Sequence, residues 1–144
     1  MQMNIQFPYK MLRAYTAYCR PVCQEMRLPQ TAFDILMFLA NNPRWNTARD
    51  IVEIRGIKAN LVSVNADRLV QEGYLERRSV PGDRRKTCLV CTEKAGPVVD
   101  RGRKIQKMFF EQLFEGVDQE TLLAFQSVLR DVDQNLDRMM KERD

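Results

Sequence analysis

The segment from Thr47 to Gly73 constrains the fold of this chain most. Thr47 and Asp50 have the spacing of a capping box, with Asp where Glu or Gln is usual, and Gly56 is suited to end the short helix that they open. From about residue 58 to residue 72 apolar side chains mark one face of a second helix, which Gly73 ends. The pattern therefore predicts two short helices joined through a glycine turn. The apolar face of the second helix consists of Leu61, Val62, Ala66, Leu69 and Val70.

A β-hairpin with a basic tip is predicted directly after these helices. Pro81 and Gly82 favour a turn, and the flanking sequences YLERRSV and TCLVC contain enough Tyr, Leu, Val, Thr and Cys to pair as strands. Two short helices followed by such a hairpin form a winged helix-turn-helix, in which the hairpin flanks a DNA duplex. The alternative for the basic tip is a solvated turn whose charges only aid solubility.

Helices are also predicted on the N-terminal side of this unit. Apolar residues recur at three- and four-residue steps between Phe7 and Met26, where Pro21 should bend or end the helix. Pro29 suits the first turn of the next helix, which the sequence Asn41-Asn42-Pro43 should stop.

Two longer helices are predicted towards the C-terminus. Thr92 is a candidate cap for a helix that runs past Gly96, and Asp118 is a candidate cap for the last helix. The apolar residues of that last helix alternate steps of three and four, as in a heptad seam: Leu122, Phe125, Leu129, Val132, Leu136 and Met139. We expect the seam to pack against a second copy of the chain, because the helices outside the winged unit have little else to bury against. A helix that covers the core of its own chain is the alternative.

The charge of the chain is concentrated in its centre. Residues 44–103 contain 13 Lys or Arg against 8 Asp or Glu, whereas residues 104–144 contain 6 against 9, within a net charge of +4. The basic centre suits an acidic polymer, and the acidic C-terminal part should face something else. No apolar run approaches membrane-spanning length and the N-terminus lacks a signal-peptide core, so we expect a cytoplasmic protein with no membrane partner.

No group of residues in the sequence points to catalysis. The chain has no histidine, no glycine-rich phosphate loop and no metal-ligand cluster, so we expect no enzyme, no bound metal and no cofactor. The four cysteines are expected to be thiols, as is usual in the cytoplasm. Cys88 and Cys91 should point to opposite faces of a strand and should not pair with each other.

The order of the elements and several residue motifs resemble the MarR family (multiple antibiotic resistance regulators). The resemblance covers nearly the whole chain and is strongest from Leu28 to Gly96. It is carried by the sequences LPQTAFDILMFLANNP, NTARDIVEIRGI, VSVNADRLVQEGYLERR, GDRRK and CTEKAG. Lys58 departs from the family pattern, because a Ser or Thr cap is common there, and Val64 stands where polar or basic side chains are frequent. Pro29 replaces a frequent Thr.

The resemblance implies a mainly helical fold with a small β-hairpin wing, in the α+β class, built as one domain over residues 1–144. The winged helix-turn-helix would span about residues 28–92, and helices at about 6–26 and 93–141 would form the dimerisation region. The implied function is a transcriptional regulator, with repression the expected mode, that binds a pseudo-palindromic site on double-stranded DNA as a homodimer. A winged helix that binds an acidic protein partner is the alternative from a different class.

The DNA contacts are expected from the start of the second motif helix. Asn60 and Ser63 are candidates for base edges in the major groove, while Lys58 and Arg68 are candidates for phosphates. Val64 and Leu61 are candidates for contact with a thymine methyl group, with core packing the alternative for Leu61.

The tip of the hairpin supplies the other expected contacts. The resemblance places Arg85 in the minor groove, with Asp83 ordering the turn around it and with Arg84 and Lys86 on phosphates. A guanidinium suits the negative potential of a narrow A·T-rich groove better than a hydrated ammonium group does.

Two further sites follow from the resemblance, each beside a packing alternative. Tyr15, Tyr18, Met108 and Phe109 are candidates to line a cleft where relatives bind small aromatic effectors, although such stripes usually form core. Cys19 and Cys23 lie one helical turn apart, and some members of the family sense oxidants through a cysteine on this helix. Buried cysteine, however, commonly acts as a small apolar side chain.

Overall fold

A computed structural model describes residues 4–143 as a mainly helical chain with one antiparallel hairpin. This confirms the predicted fold class. The helices are α1 (Gln6–Met26), α2 (Gln30–Asn41), α3 (Ala48–Asp50), α4 (Ala59–Gln71), α5 (Gly96–Leu113) and α6 (Gln119–Lys141). The strands are β1 (Leu75–Val80) and β2 (Asp83–Cys91). A π-helical segment, Ile51–Arg55, continues α3, and a 3₁₀ turn, Glu93–Ala95, precedes α5.

The chain forms two compact units, one up to Phe109 and one from Phe110 onwards. Helix α2 is the centre of the first unit, because it is apolar on nearly all sides and most of its residues are buried. Helix α5 approaches it closely at Gly102, where an added Cβ would lie 3.1 Å from Phe33 Cζ and 2.9 Å from Met37 Cε. No pattern in the sequence predicts this close approach.

Two of the expected helix starts are confirmed in atomic detail. Thr47 Oγ1 accepts the backbone N–H of Asp50 at 3.1 Å, and the Asp50 carboxylate accepts the N–H of Thr47 at 3.0 Å. Asp118 Oδ1 accepts the N–H of Thr121 at 2.8 Å, and this bond lowers the pKa of the Asp118 carboxyl. Gly56 has a φ of 78° after the helical segment, which is the left-handed conformation expected of it.

Two other expectations are corrected. Of the two alternatives for Pro21, a bend or an end of the helix, the end is wrong, because α1 continues to Met26 and closes at Arg27, a residue with a φ of 53°. Proline is tolerated here because it removes only one donor from a long helix whose buried face packs on the core. Thr92 does not cap α5; its Oγ1 instead donates to the Gly73 carbonyl at 2.5 Å.

The hairpin is joined to the first motif helix as well as to itself. Strands β1 and β2 pair from Leu75 with Cys91 to Ser79 with Thr87, and the register shifts next to the turn. Thr47 forms a further bridge with Cys88, and Leu89 N–H donates to the Asn46 carbonyl at 2.7 Å. The wing is therefore continued by a third short extended segment.

Helix α6 carries an apolar stripe that is exposed along most of its length. Near the start of the stripe, Phe125 packs on Phe114, the residue that follows α5, with ring centroids 5.8 Å apart. All residues of α6 are described, and none of them is buried. The exposed large apolar side chains include Phe125, Leu129, Val132, Leu136 and Met139, which are five of the six residues of the predicted seam. Each helix within residues 4–143 is too short or too polar to span a lipid bilayer.

Candidate nucleic-acid interface

Helix α4 turns one side to the core and leaves its N-terminal half open on the other. Val62, Ala66 and Leu69 are buried, and Asn65 is buried with them because its amide donates to the Leu61 carbonyl at 2.8 Å. Leu61 itself is 42 % exposed, so its placement on the apolar face was wrong. The apolar pattern gave no signal for the buried Asn65, because a polar side chain that bonds its own helix can occupy a core position.

The open side of α4 contains the expected base-reading residues. Lys58, Asn60 and Ser63 are exposed, and Val64 is 67 % exposed. Residues 60, 63 and 64 share one face because residues three and four apart on a helix are neighbours. The structure thus brings Asn60, Ser63 and Val64 together on one exposed face.

The first motif helix is attached to α2 through a carboxylate. Arg55 contacts Asp34 at 3.4 Å, and Gln30 Nε2 donates to the other oxygen of the same carboxylate at 2.9 Å. Burial raises the pKa of the Asp34 carboxyl, although both partners favour its charged form. These contacts fix the end of the segment that leads through Gly56 into α4.

The base of the hairpin is tied to α4. Arg77 on β1 forms an ion pair with Asp67 on α4, and the Tyr74 N–H donates to the Leu69 carbonyl at 2.9 Å. The Lys94 ammonium lies 4.5 Å from the centre of the Tyr74 ring. Sequence analysis missed the role of Arg77, because a pairing between a strand and a helix ten positions away has no periodic signal. The contacts hold the hairpin in a defined place beside α4.

The tip of the hairpin presents cations without counterions. The Asp83 carboxylate accepts the backbone N–H of Arg85 at 3.0 Å and so orders the turn, as expected. Arg84, Arg85 and Lys86 are exposed. Within residues 4–143 their side chains and that of Lys58 have no hydrogen-bond or ion-pair partner. Such unneutralised charges are available to an anionic partner.

Arg68 is placed apart from this set. Its guanidinium pairs with Glu72 at 2.9 Å and donates to the carbonyl of Arg27 at 3.1 Å, at the end of α1. It lines a hollow beside α1, whereas Ser63 lines a groove between α3, α4 and the hairpin. A phosphate contact by Arg68 remains a prediction.

The candidate effector residues mostly pack against one another. The Phe109 ring meets the rings of Tyr15 and Tyr18 edge to face, with centroids 5.4 and 5.5 Å apart. Gln106 Nε2 donates to the Tyr15 hydroxyl at 2.9 Å, and burial raises the pKa of that hydroxyl. Met108 is 54 % exposed on another side of α5. The three rings therefore have the contacts of a packed cluster.

The two cysteines of α1 are buried. Burial raises the pKa of the Cys19 thiol, and it raises the pKa of Cys23 to about 11. Cys23 Sγ donates to Gln30 Oε1 at 3.7 Å. Because the thiolate is the reactive form, these surroundings favour the packing role over oxidant sensing. All four cysteines of the chain are free thiols in the structure.

Comparison with known proteins supports the resemblance seen in the sequence. Residues 28–86, which contain α2, the two motif helices and the first half of the wing, match the model that describes the MarR family. No curated protein sequence matches the chain.

Solved structures share the fold over nearly the whole chain. A MarR-family transcriptional regulator from Listeria monocytogenes, crystallised with a 26-mer DNA, has a TM-score of 0.83 and 16 % identity, covering 94 % of this chain and 90 % of its own. A MarR protein from Peptoclostridium difficile has a TM-score of 0.79 and 17 % identity, over 100 % and 94 %. Bordetella bronchiseptica BpsR, whose DNA binding is regulated by 6-hydroxynicotinic acid, has a TM-score of 0.68 and 19 % identity, over 89 % and 96 %.

Proposed function

Because this chain is a winged helix-turn-helix protein of the MarR family, we propose that it is a transcriptional regulator that binds specific sequences in double-stranded DNA. One observation carries the proposal: the exposed N-terminal half of α4 lies beside a hairpin whose tip holds three cations without partners among residues 4–143. A recognition helix and a basic wing are the two parts that such a module needs for the grooves of a duplex. The relative from Listeria monocytogenes was crystallised with DNA, which fits this use of the fold.

The side chains divide into two roles. Asn60 and Ser63 contact base edges in the major groove, where a carboxamide can pair with adenine through two hydrogen bonds. Arg85 enters the adjacent minor groove, while Arg84 and Lys86 neutralise phosphates without selecting a sequence.

The proposal includes a homodimer that represses transcription in the cytoplasm. The exposed apolar stripe of α6 supports the dimer, since a second copy would cover it. Two winged units related by a twofold axis read two half-sites, which gives a pseudo-palindromic operator. A bound dimer represses by occupying DNA that the transcription machinery needs.

Selection of bound sequences from random duplex DNA tests the proposal. We expect a pseudo-palindromic site and an affinity that falls steeply with salt, because bound Lys and Arg displace counterions from phosphates. Lys86→Ala should weaken specific and random duplexes equally and reduce the salt slope by about 1. Arg85→Ala should cost about 1 to 3 kcal/mol and relax the preference for A·T-rich flanks.

A control separates the wing from general charge. Lys141, at the end of α6, is an exposed cation far along the sequence from the motif, and Lys141→Ala should leave affinity and salt slope unchanged. If Arg84, Arg85 and Lys86 can all become Ala without effect, the hairpin is a solvated turn and the assignment is wrong. Binding to an acidic protein with no salt-dependent binding to duplex DNA would instead favour the protein-interaction module.

The proposal extends to release of DNA by a small aromatic effector. The DNA binding of Bordetella bronchiseptica BpsR is regulated by such a compound. Because Phe109 already contacts both tyrosine rings in this chain, an effector at the cluster must displace one ring to enter. Release is tested by titrating the DNA complex with 6-hydroxynicotinic acid, for the wild type and for Tyr18→Ala. If the compound leaves the affinity for DNA unchanged in both proteins, this part of the proposal is wrong.

A further inference from the structure

The base-reading face of α4 combines short polar side chains with large apolar ones. Its exposed residues from 60 to 67 include Asn60, Ser63 and Asp67, and the Asp67 carboxylate is held by Arg77. The other exposed side chains among residues 60–67 are the apolar Leu61 and Val64, which are 42 % and 67 % exposed. No Arg, Lys or Gln stands on α4 between residues 59 and 67. The guanidinium–guanine contact, the commonest specific pairing in the major groove, is therefore not available from this segment.

Apolar side chains at the floor of the major groove have one matching group. The edges of the bases present hydrogen-bond donors and acceptors, and only the C5-methyl group of thymine is apolar. Leu61 or Val64 placed against polar edges would remove water from those edges without replacing its hydrogen bonds, which is unfavourable. Placed against methyl groups, the same side chains bury apolar surface on both partners.

Charge supports DNA as the partner that covers this face. Lys58 precedes α4, and Arg84, Arg85 and Lys86 stand at the tip of the hairpin that Asp67 and Arg77 tie to it. The apolar side chains thus lie among exposed cations. An apolar protein partner would leave these cations without counterions, whereas DNA phosphates would neutralise them.

We propose that Leu61 and Val64 read thymine methyl groups, so that methyl contacts carry much of the sequence discrimination of α4. Asn60 adds one adenine contact, and the inner positions of each half-site are A·T pairs. The inference rests on the proposed function and names the class of sequence that the same site selects.

Replacement of thymine by deoxyuridine tests the inference, because uracil keeps every hydrogen-bonding group of thymine and lacks only the methyl. In the selected operator, each thymine is replaced singly by deoxyuridine in both half-sites, and binding is measured at constant salt. We expect one or two positions per half-site at which each lost methyl weakens wild-type binding about fourfold. The remaining positions should change by less than twofold.

Variants assign the effect to named side chains. Val64→Ala and Leu61→Ala should each lose sensitivity to uracil at one position, while keeping the wild-type salt slope. Both side chains are exposed, so the truncations leave the core intact. Gln71→Ala is the matched control, since Gln71 is exposed on the C-terminal end of the same helix and should keep the full response.

The outcomes separate this inference from the proposed function. If no sequence is selected from random duplex, the proposed function fails. If a sequence is selected but every uracil substitution changes affinity by less than twofold, the inference is overturned while the function stands. Full uracil sensitivity in the double variant Leu61→Ala, Val64→Ala would also overturn it, because the methyl groups would then be read by other residues.

Discussion

Gly102 marks the position where α5 has no room for a side chain. Alanine there should lower the free energy of unfolding by about 1 kcal/mol, since a clash in a packed core costs about 1 to 3 kcal/mol and the helix preference of Ala over Gly returns about 1. The new Cβ would press on the ends of Phe33 and Met37, both of which are buried. Urea unfolding of the two proteins measures the difference.

Gly96 provides the matched control for this prediction. It also lies in α5, but a Cβ there would meet nothing within 4 Å, so Gly96→Ala should leave stability unchanged or raise it slightly. Equal stability of Gly102→Ala and the wild type would mean that Met37 moves aside at little cost.

Single residues were predictable where a local pattern determines them. The turn itself followed from Pro81 and Gly82, and the family resemblance assigned Asp83 to ordering it; the Asp83 carboxylate does accept the backbone N–H two residues further on. Gly102 and Arg77 could not be found in the same way, since their roles depend on residues far away in the sequence. Leu61 was misplaced because it lies in the first turn of α4, where 42 % of its surface stays exposed.

The capping box of α3 is the element-scale feature with the most direct test. This helix and its π-helical continuation are short, and the two side-chain bonds at their start satisfy the backbone N–H groups of Asp50 and Thr47. Thr47→Ala should reduce stability by about 1 kcal/mol in urea unfolding.

Thr47→Ser is the control for the cap. Serine keeps the oxygen that accepts the Asp50 N–H and should retain most of the stability. An equal loss in both variants would show that the methyl group of Thr47, and not its hydroxyl, stabilises the segment.

Whole elements followed from the sequence more closely than their ends did. Periodicity located all of the main helices, and glycine and proline located the hairpin turn. The predicted helix ends were wrong where tertiary contacts outweighed the local conformational preference of a residue. Pro21 stays inside α1, whose face is packed on the core, and the Thr92 hydroxyl donates to the carbonyl of Gly73, which follows α4, instead of capping α5.

At the scale of the whole molecule, the uncovered stripe of α6 predicts self-association. Leu129→Glu together with Leu136→Glu should give a monomer in sedimentation, because two charges at a seam oppose its burial. Both side chains are exposed in the single chain, so far-UV circular dichroism should show that the helices are retained. Gln134→Glu, which adds a charge at an exposed polar position of α6, should leave the assembly state unchanged. A folded dimer that survives both leucine changes contradicts the prediction.

The link between Asp67 and Arg77 has a consequence for the DNA in the proposed complex. Because the recognition helix and the hairpin are joined at this point, the major-groove and minor-groove contacts of one half-site keep a constant spacing. One extra base pair between them moves the minor-groove step by about 3.4 Å along the duplex and rotates it around the axis. The twist of the intervening base pairs thereby becomes a determinant of affinity, even where no side chain touches them.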